Sequence, residues 1–201
     1  MIEASAKKDI GKFSLSADLR DGGFICLVGK NGSGKSTFLR TISGQLRIDE
    51  GFVKVGGTDV TRLPPEKRGI VLVTPGSAIP HLDVDAHLRL GAKLRKLRVD
   101  DARLERLKIE LGIDFSGKAR TLSLGMKERL SLATAIVSSP RAILVDEAFS
   151  NLHERREFIS TYRRLAQESG IDVVFSSQDE SDAPLADHVY AMAGGRTEKR
   201  S

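Results

Sequence analysis

Residues 29–37 read GKNGSGKST, and this glycine-rich stretch constrains the fold more than any other part of the chain. It follows an apolar run at 24–28 and precedes a segment with helical character that starts at Phe38. A G-x-x-x-x-G-K-[ST] sequence between a strand and a helix is typical of a phosphate-binding loop. Its glycines let backbone N–H groups surround an anion at the positive end of the helix. The stretch predicts a chain that binds a nucleoside triphosphate; a glycine-rich turn without a ligand is the alternative.

Two side chains within this stretch have the chemistry that a triphosphate with its magnesium ion requires. The ammonium group of Lys35 can reach the β- and γ-phosphates. The hydroxyl of Ser36 can ligate Mg²⁺. We therefore expect the nucleotide to bind together with Mg²⁺.

A second candidate site lies at residues 143–147, where the apolar run ILV ends in two acids. In a nucleotide-binding sheet, the first acid, here Asp146, can hold the Mg²⁺ of the bound triphosphate, often through water. The second, here Glu147, can activate the attacking water as a general base. Acidic turns are common after strands, so this interpretation depends on the phosphate loop upstream.

The composition is ordinary for a globular chain. Its 201 residues, 40% hydrophobic and 29% charged, suit one domain with a sizeable core. No apolar run approaches the ~18 residues of a membrane span, and the N-terminal segment lacks the apolar core of a signal peptide. The single cysteine, Cys26, lies in an apolar strand, where we expect buried packing. These features predict a cytoplasmic protein.

The net charge of +5 permits an anionic partner without requiring one. The densest basic run, KLRKLR at 93–98, has leucines at helical spacing, and we interpret it as a solvated helix face rather than a binding patch. Aromatic residues make up only 5% of the chain, so no platform for stacking bases is indicated. We therefore expect no nucleic-acid partner.

Strands alternate with helices around the phosphate loop, which predicts an α/β fold with a mostly parallel sheet. Residues 13–19 alternate like a half-buried strand, and DGG at 21–23 is interpreted as a hairpin turn into the strand at 24–28. The charged helical pattern at 84–111 indicates two helices joined near 99–101 in a separate lobe. Other expected strands lie at 52–55, 70–73, 142–145, 172–175 and 188–192, and other helices run from the phosphate loop to about 46, from 123 to about 137 and from 154 to 168.

The phosphate loop, then LSLGMKERLSLA at 122–133, then ILVDEAFSNLH at 143–153 together resemble the ATP-binding subunit of an ABC transporter. LPPEKRGI at 63–70 and PHLDVDAHLRLG at 80–91 resemble the family as well, so the likeness covers nearly the whole chain. The N-terminal IGKFSL is most similar to subunits of molybdate, tungstate or related oxyanion importers. The resemblance implies one ABC-type domain over 1–201: a P-loop NTPase core, an N-terminal antiparallel β part and an inserted helical subdomain at approximately 82–139.

The family binds ATP with Mg²⁺ and hydrolyses it, and the resemblance assigns roles to matching positions. Ser36 and Asp146 serve the Mg²⁺, and Glu147 is the base. Ser123 and Gly125 match the signature loop, which closes over the γ-phosphate bound by the other subunit of a head-to-tail dimer; a simple N-cap at Ser123 is the alternative. The residues implied to hold the phosphates are Gly29, Lys30, Asn31, Gly32, Ser33, Gly34, Lys35, Ser36 and Thr37.

Several positions depart from the family pattern. Gln178 stands where the family has its switch histidine, and because an amide cannot relay a proton, we expect slow hydrolysis. The family's glutamine after the strand near residue 73 has no counterpart, since its place falls on Thr74 or Pro75. Phe13 is a candidate for stacking on adenine, with an ordinary core phenylalanine as the alternative. Further departures are Leu124 and Met126 in the signature loop, Ala148 after the base and His153 in the loop that follows.

The leading functional hypothesis is ATP-driven transport, with the chain docked on a separate transmembrane subunit at the inner face of the cell membrane. The alternative is a hydrolysis-impaired regulatory module that binds ATP and pairs with an intact homologous subunit. We expect the dimer to be either a homodimer or a heterodimer with another ABC ATPase subunit. A nucleic-acid-linked ATPase of the repair type is disfavoured, because no long heptad-bearing insertion separates the phosphate loop from the signature.

Overall fold

The computed structural model describes residues 1–200, and ten strands of this part form one sheet in the order β5-β4-β1-β2-β10-β9-β3-β8-β7-β6. The strands are β1 (Ile2–Ile10), β2 (Phe13–Asp21), β3 (Phe24–Val28), β4 (Glu50–Val55), β5 (Thr58–Asp59), β6 (Ile70–Val73), β7 (Ala142–Val145), β8 (Asp172–Ser177), β9 (His188–Ala193) and β10 (Arg196–Arg200). The helices are α1 (Lys35–Ser43), α2 (Val84–Leu94), α3 (Asp101–Glu110), α4 (Leu124–Val137) and α5 (Arg155–Glu168), with 3-10 turns at Pro65–Lys67, Ala119–Thr121 and Glu180–Leu185.

The sheet has a parallel part around the phosphate loop and an antiparallel part from the N-terminal segment. β9, β3, β8 and β7 pair in parallel, each with its neighbour. β5, β4, β1 and β2 pair antiparallel. The predicted α/β class and the antiparallel N-terminal part are confirmed.

The hairpin predicted at residues 21–23 is wrong. β2 pairs with β1 through a turn at 11–12, and β10 lies on its other side, so β2 and β3 are not neighbours. All five side chains of β3 are buried, which suits a central parallel strand better than one arm of a hairpin. Residues 21–23 instead lead the chain across the sheet, where the Gly23 N–H donates to Asp172 Oδ1 at 2.7 Å.

The chain divides into two compact units. The first contains residues 1–72, 141–146 and those from Asp172 onward; the second contains 73–140 and 147–171. In the first unit the apolar face of α1 packs into the buried cluster of the sheet, and Cys26 is fully buried as predicted. Phe38, Leu39 and Ile42 form that face of α1.

In the second unit α2 packs against α4, and both predicted helices of the charged lobe are present. The interpretation of residues 93–98 as a helix face is wrong, because α2 ends at Leu94. Lys96 takes the left-handed conformation, and the Leu97 N–H donates to Ala92 O at 2.9 Å, which is the bond that closes a Schellman-type helix end. Leu94 and Leu97 are 74% and 44% exposed beside the basic side chains.

The C-terminal end of α1 is held by a buried arginine. Arg68 Nη1 donates to the carbonyls of Thr41 and Ile42, at 3.1 and 3.0 Å. Its Nε and Nη2 donate to the carbonyls of Leu63 and Thr61. Burial lowers the pKa of this guanidinium, and the charge of Asp59 acts in the opposite direction. The four carbonyls and the negative end of the helix dipole favour a cation at this place.

Arg68→Ala is expected to lower the free energy of unfolding by about 3 kcal/mol, because four carbonyls lose a charged donor. Arg68→Lys should recover only part of this, since an ammonium cannot match the planar fork of the guanidinium. Urea denaturation monitored by circular dichroism measures the free energy of unfolding of both variants. The exposed Arg62→Ala is the control and should change the value by less than about 0.5 kcal/mol. A loss in Arg68→Ala no larger than that of the control would contradict this role.

Candidate nucleotide-binding site

Three neighbouring parallel strands of the first unit bring the candidate residues to one edge of the sheet. β3 leads into the phosphate loop, β8 leads into Gln178, and β7 leads into Asp146. In the register of these strands Val28 pairs with Ser177, and Val145 pairs with Phe175. Ligands of open α/β sheets bind outside the carboxyl ends of such strands.

The phosphate loop is positioned by backbone contacts that need glycine. At Gly34, the N-cap of α1, φ is 111°, and a Cβ would lie 2.8 Å from Phe13 Cζ. At Gly29 a Cβ would lie 2.3 Å from Met192 O. The Gly29 N–H donates to Ser177 O at 3.1 Å, which ties the start of the loop to the end of β8. The start of the loop therefore lies close against the ends of β8 and β9, where a side chain would not fit. Glycine leaves the backbone N–H groups of the loop accessible to an anion.

Lys35 is the first residue of α1, and its side chain is folded back over the loop. It is 4% exposed, and its Nζ donates to the carbonyls of Gly29 and Lys30 at 2.7 and 3.1 Å. These two acceptors hold the ammonium group against the loop.

Ser36 and Asp146, predicted from two separate motifs, are in direct contact. Ser36 Oγ donates to Asp146 Oδ1 at 2.9 Å, and Ser176 Oγ donates to the same oxygen at 3.0 Å. The carboxylate is buried. Hydroxyl and carboxylate oxygens are the ligands that Mg²⁺ prefers, and Mg²⁺ usually takes only one or two from protein when phosphates supply the rest. Ser176 was missed by sequence reasoning, because only the pairing of β8 with β7 places it there.

A cavity of about 590 Å³ opens over the loop within the first unit. Ser33 lines it, and its buried Oγ has no hydrogen-bond partner within residues 1–200. An orphaned hydroxyl beside a ring of backbone amides fits a phosphate oxygen. Gln178 lines the same cavity and directly follows the last residue of β8. The other lining residues are Val28, Gly29, Lys30, Asn31, Gly32, Glu180, Ala191, Met192, Ala193, Gly194 and Arg200.

The other predicted site residues belong to the second unit. Ser123 is the N-cap of α4, and its Oγ accepts from the Met126 N–H at 3.2 Å, so the N-cap interpretation is correct as local structure. Gly125 lies in the first turn, next to Leu124, which is half exposed. Glu147 is partly buried and takes the left-handed conformation at the turn that follows β7. The first turn of α4, with the half-exposed Leu124, lies at the positive end of the helix dipole.

Comparison with known proteins connects these features. A family profile described as ABC transporter matches residues 13–150. The chain belongs to the ABC transporter family. Membership supports ATP binding and ATPase activity, and agrees with the phosphate loop and the Ser36–Asp146 contact.

Relatives span nearly the whole chain. The molybdate/tungstate import ATP-binding protein WtpC of Archaeoglobus fulgidus is 35% identical over 97% of this chain and 84% of its own length. The sulfate/thiosulfate import ATP-binding protein CysA of Mycobacterium tuberculosis strain H37Rv is 34% identical over 99% of this chain, and the spermidine/putrescine import ATP-binding protein PotA of Thermobifida fusca is 34% identical over 92%. The chain spans 60% and 50% of the length of these two.

Solved structures agree on the fold. An ATP-binding subunit of an ABC transporter superposes with a TM-score of 0.84 at 21% identity, over 100% of this chain and 90% of that one. An ATP-binding cassette in its ADP conformation gives a TM-score of 0.78 at 19% identity, over 98% of this chain and 89% of that one. Within residues 1–200 no helix has the length and apolar character needed to span a membrane.

The missing glutamine near Thr74, one departure from the ABC pattern, has a local structural counterpart. The Thr74 N–H donates to Ser77 Oγ at 2.8 Å, and the Ser77 N–H returns a bond to Thr74 O at 3.0 Å. This tight turn uses the polar groups of the segment internally and supplies no long amide side chain. Phe13 is half buried beside Gly34 and also packs against the apolar core.

Proposed function

We propose that this chain binds ATP with Mg²⁺ and hydrolyses it to ADP and phosphate as the ATP-binding subunit of an importer. The observation that carries the proposal is the Ser36–Asp146 contact beside the phosphate loop, because it joins two motifs 110 residues apart into one set of oxygen ligands. Bound ATP would supply the phosphoryl group, and its Mg²⁺ would supply the positive charge that neutralises the phosphates. The chain's own residues would orient the nucleotide and the attacking water and would accept the proton of that water.

We assign the roles as follows. The backbone of residues 29–37 and the Lys35 ammonium bind the phosphates. Ser36 and Asp146 hold the metal ion, and Glu147, the next residue in the chain, accepts the proton of the attacking water. Gln178 lies in the cavity and can donate a hydrogen bond to phosphate without taking a proton. This assignment predicts binding that is intact and hydrolysis that is slow.

The proposal extends to partners. Residues 82–139 would form the helical subdomain of a single ATP-binding domain, and Ser123 with Gly125 would close over the γ-phosphate of a second subunit, either another copy of this chain or a homologue. The pair would dock on a separate transmembrane subunit at the inner face of the membrane. Named relatives import molybdate or tungstate, sulfate or thiosulfate, and polyamines. They therefore leave the cargo open between anions and cations.

Isothermal titration calorimetry of the natural chain with Mg·ATP tests the binding step, and phosphate release tests hydrolysis. Copurification with a transmembrane subunit, followed by assay of the complex, tests the transport role. A chain that takes up no Mg·ATP contradicts the proposal. A chain that binds Mg·ATP and dimerises without hydrolysing it favours the second candidate function, a regulatory module. The observation that favours this candidate is Gln178 at the switch position.

Gln178→His is expected to raise turnover about 10-fold at nearly unchanged ATP affinity. A well-placed transition-state donor is commonly worth 10²–10³ in rate, and the natural amide already provides part of this. Phosphate release under saturating Mg·ATP measures the gain, with the exposed Gln45→His as the control for introducing an imidazole. Brisk turnover by the natural chain that slows in Gln178→His would mean that the glutamine is a working switch.

A further inference from the structure

A buried carboxylate in the second unit has no role in the assignments above. Glu128, on α4, is 1% exposed, and its Oε1 accepts from Asn151 Nδ2 at 2.8 Å. Its Oε2 is buried with no hydrogen-bond partner in the part of the chain that the structure describes. Burial raises the pKa of this carboxyl, while hydrogen bonds from the side chain and backbone of Asn151 act in the opposite direction. Burying a carboxylate away from water costs free energy unless hydrogen bonds compensate for the lost hydration. The hydrogen-bond partner of Glu128, Asn151, is therefore the place to look for a role.

The partner belongs to the segment that follows Glu147. Asn151 comes four residues after Glu147, and a Cβ at Gly125 would lie 3.3 Å from Asn151 O. The segment 147–153 therefore runs against the first turn of α4, next to Ser123. The contact between Glu128 and Asn151 spans these two pieces.

The neighbouring residue on α4 reinforces the same arrangement. Arg129 Nη2 lies 3.4 Å from His153 O, its Nη1 donates to Leu111 O at 2.9 Å, and the guanidinium lies over the Phe158 ring at 5.0 Å. Consecutive residues of one helix thus hold the 147–153 segment at two points. Only the Glu128 contact involves a carboxylate that burial has removed from water.

We propose that Glu128 is a positioning residue, which fixes Asn151 and thereby holds the general base Glu147 and the first turn of α4 in one rigid arrangement. The proposal rests on the proposed ATPase function and adds to it a residue that touches no substrate. Ordering a base by contacts outside the reacting centre affects rate, since small misplacements of catalytic groups can cost up to about 10² in turnover. It should leave the binding of ATP by residues 29–37 unchanged.

Three variants of the full chain separate positioning from folding. Glu128→Gln keeps an oxygen that accepts from Asn151 and should hold kcat within about threefold of the natural value. Glu128→Met keeps the length and removes the acceptor, and should lower kcat about 10-fold at unchanged KM and unchanged affinity for Mg·ATP. Asn151→Leu removes the donor and should give the same loss. The double variant should be no worse than either single one, because the two residues act through one contact.

Amide hydrogen exchange without nucleotide is the independent readout. Glu128→Met should speed exchange in 147–153 and leave residues 29–37 unchanged, whereas Glu128→Gln should alter neither. Full kcat in Glu128→Met, or a loss in Glu128→Met and Glu128→Gln that tracks their loss of thermal stability, overturns the positioning role. A natural chain without ATP turnover overturns the proposed function. If instead the natural chain hydrolyses ATP and Glu128→Met shows unchanged hydrogen exchange, only the positioning role is overturned.

Discussion

Lys35→Ala is expected to weaken the binding of Mg·ATP about 100-fold while the chain stays folded. The Lys35 ammonium lies over the phosphate loop and donates to the carbonyls of Gly29 and Lys30. Hydrogen bonds between charged groups contribute about 1.5–3 kcal/mol, and 1.4 kcal/mol corresponds to tenfold in affinity. Loss of the contacts to two phosphate groups therefore accounts for the expected change.

Isothermal titration calorimetry measures the effect, and urea denaturation checks that the variant is folded. Lys35→Met is a second variant that keeps the aliphatic stem in its buried position and isolates the loss of charge. The matched control is Lys12→Ala, which removes the same charge from the exposed turn between β1 and β2. Equal ATP affinity in the natural chain and in both Lys35 variants would remove the phosphate-binding role from this loop.

The elements that the sequence predicts well are those whose signals are local. The glycine-rich turn before α1 and the start of α4 after Ser123 each depend on a few consecutive residues, and the structure has a helix beginning at both places. β7 is a fully apolar run that is followed by Asp146, and its bounds agree with the prediction. Local side-chain chemistry decides such turns and caps before any long-range contact is made.

Three of the ten strands, namely β1, the two-residue β5 and β10, had no such signal. β10 reads RTEKR, with no apolar alternation, and it is a strand because its backbone pairs with β9 and touches β2. β1 buries only Ile2, Ala4 and Ala6 on its inner face, and alanine is a weak strand former. The existence of β1 and β10 depends on partners that are far away in sequence.

The parts of the site that combine residues from different segments could not be predicted from the sequence, for the same reason. Ser176 meets Asp146 because β8 lies beside β7, and strand order cannot be read from a single sequence. Glu128 would be read as a solvated helix residue, since its burial depends on a segment more than 20 residues further along the chain. The expected hairpin at 21–23 failed because a turn signal does not specify which strand the chain joins next.

Glu147→Gln is expected to lower turnover about 100-fold or more while ATP affinity stays close to the natural value. General-base catalysis by a positioned side chain contributes about 10²–10⁴ in rate. In the proposed mechanism the proton of the attacking water goes to Glu147, and the neutral amide of Gln178 cannot accept it in its place. The carboxamide keeps the size of the side chain and removes its basicity.

The same variant gives a second, independent readout through association. If ATP drives two subunits together, loss of the base should prolong the ATP-bound state, so Glu147→Gln should dimerise more completely than the natural chain in light scattering with Mg·ATP. Glu157→Gln, on an exposed position of α5, is the matched control and should change neither property. Turnover retained in Glu147→Gln would mean that another group accepts the proton. If turnover falls but the variant stays monomeric at all concentrations, Glu147 is still the base. Dimerisation would then require the transmembrane partner, because the signature loop with Leu124 and Met126 would not close a second half-site on its own.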